Sequence, residues 1–232
     1  MKKLFTTLSI LVISVCAFSQ TNQVKFGIKA GVTFPTIAAE GGASAYDGPE
    51  PLDYKNNISF YLGGTVDFPV SEVFSVQPGL TLTGKGGKAQ YYDSNYELLN
   101  LYVFEGSYKS NIMYVEIPLN AVLNFKLGGG KIFFGGGPYF GFGISGRIKT
   151  DGIAQSGGNS VSESTARDIK FGSDKDFKRG DAGLNFLAGY QLNNGFNIHA
   201  GYGLGLKTIT GRSISYYQEK NRVFSVGLGY AL

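Results

Sequence analysis

The strongest constraint in this sequence is an alternation of apolar and polar residues that recurs in eight separate segments. A period of two residues is typical of β-strands whose two faces meet different surroundings. The apolar face of every segment is free of charged residues. The segments are 24–34, 58–68, 74–83, 113–125, 132–144, 181–192, 196–207 and 224–232.

Two all-β architectures could use such strands, and they differ in the direction of the apolar face. A soluble ligand-carrier barrel would point this face inward, but eight strands enclose a space too narrow for so many large groups. The opposite arrangement turns the apolar face to lipid and fills a small lumen with the Gly, Ser, Thr and Asn of the other face. We therefore predict an all-β fold, an eight-stranded antiparallel up-and-down transmembrane β-barrel whose partner is outer-membrane lipid.

The connections between the segments alternate between short and long. Tight connections are predicted near 69–72, 127–130 and 193–195, and long polar ones at 35–56, 86–110, 147–180 and 210–220. Short periplasmic turns and long, exposed extracellular loops are the outer-membrane pattern, which places both termini in the periplasm. The aromatic residues of the 86–110 segment also suit an extension of strands three and four, and they leave a ten-stranded count as an alternative. Pro78 and Pro138 predict bulges or local irregularity within the strands.

The N-terminus has the features of a secretory signal peptide. Two lysines precede an apolar run over 8–15, and a small-x-small site ends at Ser19. We predict a signal peptide of residues 1–19 and a barrel domain of residues 20–232. Cys16 leaves a lipoprotein alternative, which the bulky residue before it disfavours. Without Cys16 the mature chain has no cysteine, which excludes disulfides and thiol chemistry.

Several short motifs occur in order along the predicted strands. They are 114–119 (YVEIPL), 136–139 (GGPY), 180–183 (GDAG) with 189–190 (GY), and 221–224 (NRVF) with 229–230 (GY). The chain resembles, over essentially its whole mature length, the porin-like outer-membrane β-barrel family of Bacteroidota, the PorT-type group. The resemblance implies insertion by the barrel-assembly machinery. Most members have no assigned function, and the eponymous member is linked to protein secretion. Such barrels often end in Phe, whereas this chain ends in Leu232.

The polar face carries charged residues that would lie inside the narrow lumen. Charges there must be paired or hydrated, because burying an isolated charge is costly. We predict a hydrogen-bonded plug, with a narrow hydrated path for small solutes as the alternative. The predicted lumen network comprises Lys25, Lys29, Asp67, Lys85, Glu116, Asp181, Asn185, His199 and Lys207.

Enzyme, cofactor and metal chemistry find little support in the sequence. The 141–146 segment (GFGISG) matches G-x-G-x-x-G, but a polar loop rather than a helix is predicted to follow it. His199 is the single histidine, and Asp174 with Asp176 lacks the spacing of a calcium loop. We therefore predict that the protein is not an enzyme and has no catalytic residue, cofactor or metal site. The dispersed net charge of +4 does not indicate a nucleic-acid partner.

The long connections are the remaining candidates for function. Interleaved opposite charges in 147–180 predict a solvated loop. The tyrosine-rich part of 86–110 is the better binding candidate for an extracellular protein or glycan, because aromatic rings with polar tips anchor partners. The candidate residues are Tyr91, Tyr92, Tyr96 and Tyr102. The predicted function is a structural or loop-mediated interaction role at the cell surface, with a narrow porin-like channel or a secretion accessory factor as alternatives.

Overall fold

A computed structural model describes residues 24–40, 54–97, 100–156, 159–211 and 218–232. The predicted signal peptide lies outside these residues. Within them the chain forms β1 (Lys25–Glu40), β2 (Tyr54–Lys55), β3 (Ser59–Pro69), β4 (Phe74–Glu97), β5 (Asn100–Leu127), β6 (Gly130–Ser156), β7 (Asn159–Asp168), β8 (Gly180–Leu192), β9 (Phe196–Gly205) and β10 (Gln218–Ala231). No helix long and apolar enough to cross a membrane occurs in this part of the chain.

Eight of these strands close into a ring. Its order is β1, β3, β4, β5, β6, β8, β9 and β10, and β10 pairs again with β1. All neighbours are antiparallel, and most are consecutive along the chain. The predicted eight-stranded antiparallel barrel is confirmed. The ten-stranded alternative is wrong, because β2 pairs only with β4, and β7 only with β6, outside the ring.

The apolar faces of the ring strands point outward. Leu80 is 58% exposed and Phe140 is 67% exposed, whereas Tyr114 on the opposite face of β5 is completely buried. Exposed apolar surface of this extent marks a membrane or protein contact. The structure therefore confirms which residues of each strand face outward and which face the lumen; we call this alternation the parity of the strand.

One end of the barrel carries tight turns, and we call it the short-turn end. The β5–β6 turn contains Gly128 at φ 58° and the β8–β9 turn contains Gly195 at φ 93°, a backbone region that glycine adopts without strain. The outward aromatic rings of Phe196 and Tyr230 pack edge-on with centroids 4.9 Å apart. The Tyr190 hydroxyl donates a hydrogen bond to the Leu127 carbonyl at 2.8 Å.

The predicted irregularity at the prolines takes the form of interruptions in the ladder. Pairing between β4 and β5 stops after Pro78 and resumes at Thr81 in the same register. Pairing between β5 and β6 likewise has a gap next to Pro138. A register shift between β5 and β6 lies elsewhere, between Met113 and Tyr114. A missing N–H thus removes a ladder bond here without forcing a bulge.

The other end, which we call the long-hairpin end, extends well past the ring. Here β4, β5, β6 and β7 form an antiparallel sheet of residues 87–97, 100–110, 146–156 and 159–168, which we call the upper sheet. The predicted extension of strands three and four is confirmed. The prediction of a loop is wrong for 147–156 and 159–168, which lie in β6 and β7. The interleaved charges there lie on β6 and β7, where backbone pairing does not depend on an apolar face.

Candidate functional site

The centre of the lumen holds a buried group of charged side chains. The Lys85 ammonium lies 2.5 Å from Glu116 Oε1 and 2.8 Å from Asp181 Oδ2. Each of the three side chains is less than a tenth exposed. Lys85 is on β4 and Asp181 is on β8, strands that are not neighbours in the ring. The ion pair therefore crosses the lumen and ties opposite walls together.

Neutral side chains complete this group. The Asn221 amide donates to Asp181 Oδ2 at 2.9 Å, and the Tyr139 hydroxyl donates to the same oxygen at 3.2 Å. The Lys85 ammonium lies 4.1 Å from the centre of the Tyr139 ring, within cation–π range. One cation faces two carboxylates, so the two hydrogen-bond donors to Asp181 help to stabilise the excess negative charge. We call Lys85, Glu116, Asp181, Tyr139 and Asn221 the charge cluster.

A group of buried apolar residues lies on the long-hairpin side of the charge cluster, and we call it the apolar cap. Ring strands and connections both contribute to it: Ile37, Ile112, Tyr114, Ile148, Ile169, Phe177 and Ile209 are all buried there. Ile169 and Phe177 lie between β7 and β8, in a segment predicted to be a solvated loop. That prediction is wrong here, because apolar residues within the charged segment fold back into the barrel mouth.

Backbone hydrogen bonds hold this segment in place. The Ile169 N–H donates to the Gly146 carbonyl at 2.9 Å, and the Lys178 N–H donates to the Ile209 carbonyl at 2.8 Å. Beside the apolar cap, the Tyr54 hydroxyl donates to Glu219 at 2.9 Å. Burial, together with the neighbouring Glu219 carboxylate, raises the pKa of Tyr54 well above its ordinary value. The backbone bonds tie the segment between β7 and β8 to β6 and to the residues after β9.

Two small cavities lie between the charge cluster and the short-turn end. The inner cavity, of about 90 Å³, contacts Lys85, Glu116, Thr81 and Asn120. The Thr81 hydroxyl and the Asn120 side-chain oxygen are buried without a hydrogen-bond partner among the described residues. A polar cavity of this size holds a few water molecules.

The outer cavity, also of about 90 Å³, lies at the short-turn end. Lys29 and His199 contact both cavities and stand between them. His199 Nε2 lies 2.6 Å from the Tyr61 hydroxyl, and its Nδ1 lies 2.8 Å from Asn197 Oδ1. Both ring nitrogens are therefore engaged in packing within the lumen.

The upper sheet ends in a strand with one unpaired edge. Among the residues that the structure describes, β7 pairs with β6 alone, and residues 160–168 are exposed. Asp151 on β6 accepts a hydrogen bond from the Ser164 hydroxyl at 2.6 Å and lies 3.0 Å from the Lys149 ammonium. These contacts, the hydrogen bond from Ser164 first, lower the pKa of the Asp151 carboxyl. They fasten β7 to β6 on one side and leave its other side open.

Comparison with known proteins identifies the family of this barrel. The family model for an outer membrane protein beta-barrel domain matches residues 18–211, most of the chain. The chain belongs to this family. It is accordingly an outer-membrane β-barrel protein. No curated protein matches it.

Solved structures similar to this outer-membrane barrel include small barrels of other bacteria. OprG of Pseudomonas aeruginosa is 12% identical with a TM-score of 0.44, and the match covers 90% of this chain and 95% of that one. Ail, the attachment invasion locus protein of Yersinia pestis, solved with the heparin analogue sucrose octasulfate, is 16% identical with a TM-score of 0.38, covering 90% and 99%. Neisserial surface protein A is 10% identical with a TM-score of 0.40, covering 90% and 99%.

The residues predicted for the lumen of this outer-membrane barrel divide into several groups. Lys85, Glu116 and Asp181 meet in the charge cluster. Asn185 contacts the inner cavity, and Lys25, Lys29, Asp67 and His199 contact the outer one. Lys207 follows the end of β9 and is exposed, so its assignment to the buried network is wrong.

Sequence reasoning missed the uncharged members of the charge cluster. Tyr139 and Asn221 lie on the polar face of their strands, inside the GGPY and NRVF motifs. Their inward parity was therefore readable. Their meeting with Asp181 was not, because the three residues lie on β6, β10 and β8.

The other predicted features of this outer-membrane barrel are located as follows. Tyr91, Tyr92 and Tyr96 lie on β4 and Tyr102 lies on β5, in the upper sheet, but their side chains are outside the described part of the structure. The 141–146 segment continues β6, so the helix that a dinucleotide site needs does not follow it.

The described residues were predicted to hold no metal site, and their possible metal ligands are arranged as follows. These ranges contain no group of three or more His, Cys, Asp or Glu side chains arranged to hold an ion. Both Asp176 carboxylate oxygens accept hydrogen bonds from Arg167, at 2.7 and 2.8 Å. This carboxylate is therefore engaged in an ion pair with Arg167.

Proposed function

We propose that this outer-membrane protein acts at the cell surface by binding an extended segment of a partner protein along β7. In this proposal the long-hairpin end faces the exterior and both termini face the periplasm, as in barrels with short periplasmic turns. The lumen is plugged and serves to hold the barrel rigid. Signal-peptide cleavage after Ser19 and insertion by the barrel-assembly machinery belong to the same proposal.

The observation that carries the proposal is the open edge of β7. An unpaired strand edge presents a row of N–H and C=O groups that can accept another strand. The ten residues Asn159–Asp168 contain no Pro and no Lys, the residues that most often blunt such edges. Ser160, Ser162 and Ser164 are short and exposed, so a partner backbone can approach closely.

The position of the upper sheet supports the same role. β4 runs on for thirteen residues past Gly84, which at about 3.3 Å per residue amounts to about 40 Å along the strand. This length carries the edge of β7 clear of the membrane surface. Tyr91, Tyr92, Tyr96 and Tyr102 lie on the same sheet, and we propose them as secondary contacts for the partner protein or for a glycan.

The closed interior argues against the alternative of a narrow channel. A solute moving along the lumen would have to pass both the charge cluster and the apolar cap, and eight strands leave little bore around them. A role in protein secretion, which the resemblance to the PorT-type group implies, is compatible with strand binding and remains a prediction. Planar-bilayer recordings separate these functions, because stable unit conductance would favour the channel.

Photo-crosslinking in intact cells tests the edge. A photoreactive amino acid at Val161, on β7, should give a crosslinked protein band of defined mass, because the partner strand lies against this residue. The same group at Ile153, which is exposed on the neighbouring β6, is the matched control and should crosslink much less.

Proline substitutions at Ser162 and Glu163 test the backbone. Successive N–H groups of a strand point to opposite edges, so one substitution removes an outward donor and the other a bond to β6. The proline variant that removes the outward-pointing N–H should lose the Val161 crosslink, while the barrel should still insert into the membrane. Strand addition would be contradicted if crosslinkers at Val161 and Ile153 gave equal yields. It would also be contradicted if the Val161 crosslink survived both proline substitutions.

A further inference from the structure

We propose that the outer cavity at the short-turn end is an anion site, which binds a phosphate group between Lys25, Lys29 and Lys131. The site lies at the opposite end of the barrel from β7, and the proposal does not rest on the surface role.

The three lysines approach the cavity from opposite walls. Lys25 and Lys29 are on β1, and Lys131 is on β6, which is the fourth strand from β1 in either direction around the ring of eight. Amide side chains complete the lining. They are Gln77 on β4, Asn124 on β5, Gln191 on β8 and Asn197 on β9. Ammonium and amide donors thus surround one small space.

The charge of this lining is unbalanced. Asp67 is the one carboxylate that contacts the cavity, against three ammonium groups. Among the described residues, none of the three lysines has a carboxylate oxygen within 4.0 Å. Glu116 faces the inner cavity that Lys29 also contacts, but it is paired with Lys85. Both carboxylates of the charge cluster are thus within ion-pair distance of Lys85, whereas the lysines of the outer cavity have no ion pair of this kind among the described residues.

Lys29 and Lys131 are half-buried and Lys25 is exposed at the mouth of the cavity, and lysines gathered in this way attract an anion. The barrel wall faces hydrocarbon, so the repulsion between like charges in the lumen is screened less than at an open surface. A cleft that carries one sign of charge between walls of low dielectric concentrates counter-ions. An anion between Lys29 and Lys131 would relieve the repulsion and accept their hydrogen bonds.

The size and donor set of the cavity favour a phosphate group. Phosphate offers several acceptor oxygens, each of which can take a charge-assisted hydrogen bond from an ammonium group. The cavity of about 90 Å³ holds a compact tetrahedral anion, and any larger part of the ligand would remain outside the mouth. A soluble phosphate compound and a phospholipid headgroup share this chemistry.

Calorimetric titration with inorganic phosphate tests the site. The full barrel, folded in zwitterionic detergent at low ionic strength, should bind one phosphate per chain. The double variant Lys25→Gln with Lys131→Gln should bind about tenfold or more weakly, because two charge-assisted contacts are lost. Lys170→Gln removes the same charge from an exposed residue that does not line the cavity, and it should leave the affinity within about twofold of the original.

A second arm distinguishes the two sources of phosphate. The titration is repeated in nanodiscs of phosphatidylcholine alone and with phosphatidylglycerol added. The ligand is the headgroup if phosphatidylglycerol abolishes the binding of inorganic phosphate. In that case phosphorus NMR should also show broadening of the lipid signal, and the lysine substitutions should remove this broadening. Equal phosphate binding in both nanodiscs identifies a soluble ligand. The proposal is overturned if the protein binds neither, or if the double variant binds as tightly as the original. The electrophoretic shift between unheated and heated samples checks that every variant is folded.

Discussion

Replacing Lys85 with Met should destabilise the barrel strongly. The substitution keeps a side chain of similar length but leaves Glu116 and Asp181 as neighbouring carboxylates, each less than a tenth exposed. Removing one partner of a buried ion pair costs about 3–5 kcal/mol, because the remaining charge is left uncompensated. Asp181 keeps its hydrogen bonds from Tyr139 and Asn221, so we expect the lower part of this range, about 3 kcal/mol.

Urea unfolding from lipid vesicles measures this loss. The chain has no Trp, so far-UV circular dichroism and the electrophoretic shift of the folded barrel report unfolding. With a denaturant slope of about 1–3 kcal/mol per molar urea, a loss of 3 kcal/mol lowers the midpoint by about 1–3 M. The expected change is large enough to measure without extrapolation.

Lys149 provides the matched control. Its ammonium lies 3.0 Å from Asp151, but the two side chains are 53% and 43% exposed. Lys149→Met should therefore cost less than about 1 kcal/mol, as exposed ion pairs do. Adding Glu116→Gln and Asp181→Asn to Lys85→Met should recover part of the loss, because no buried charge then remains unpaired. The reasoning is refuted if Lys85→Met and Lys149→Met lower the midpoint equally, or if neutralising the carboxylates makes the variant less stable.

Three further predictions concern the wall and the bore. Leu80→Arg should cost about 2–4 kcal/mol and impair assembly, because Leu80 lies within the lipid-facing wall. Leu127 is equally exposed but lies beside a turn, so Leu127→Arg should cost about 0–1 kcal/mol. Equal losses in vesicle unfolding would contradict the placement of Leu80 deeper in the membrane than Leu127. Gly227→Ala should cost about 1–3 kcal/mol because a Cβ there overlaps the Tyr61 hydroxyl, while Gly129→Ala has open space and should be neutral in the same assay. In planar bilayers the native protein should show no stable conductance steps, and reproducible steps would mean that the plug opens.

The sequence alone was sufficient to predict the barrel and the outward direction of its apolar faces. Leu80 and Phe140 could be assigned to the outer face and Glu116 to the lumen, because side chains alternate along a strand whatever its neighbours are. The number of ring strands followed from the number of alternating segments. The upper sheet was harder to recognise. Its β6–β7 part lacks an apolar face and is held together by backbone hydrogen bonds. Such bonds require no particular pattern of amino acids, so the sequence does not reveal them.

Only the tertiary structure decided which inward residues meet. Ring closure brings Lys85 on β4 to Asp181 on β8 and sets Lys131 across the lumen from Lys29, and no local pattern records either approach. The same holds for Ile169 and Phe177, which fold into the barrel mouth from a segment rich in charges. Parity is a local property of each strand, whereas contacts across the lumen depend on the order and stagger of all eight strands, which is settled when the ring closes.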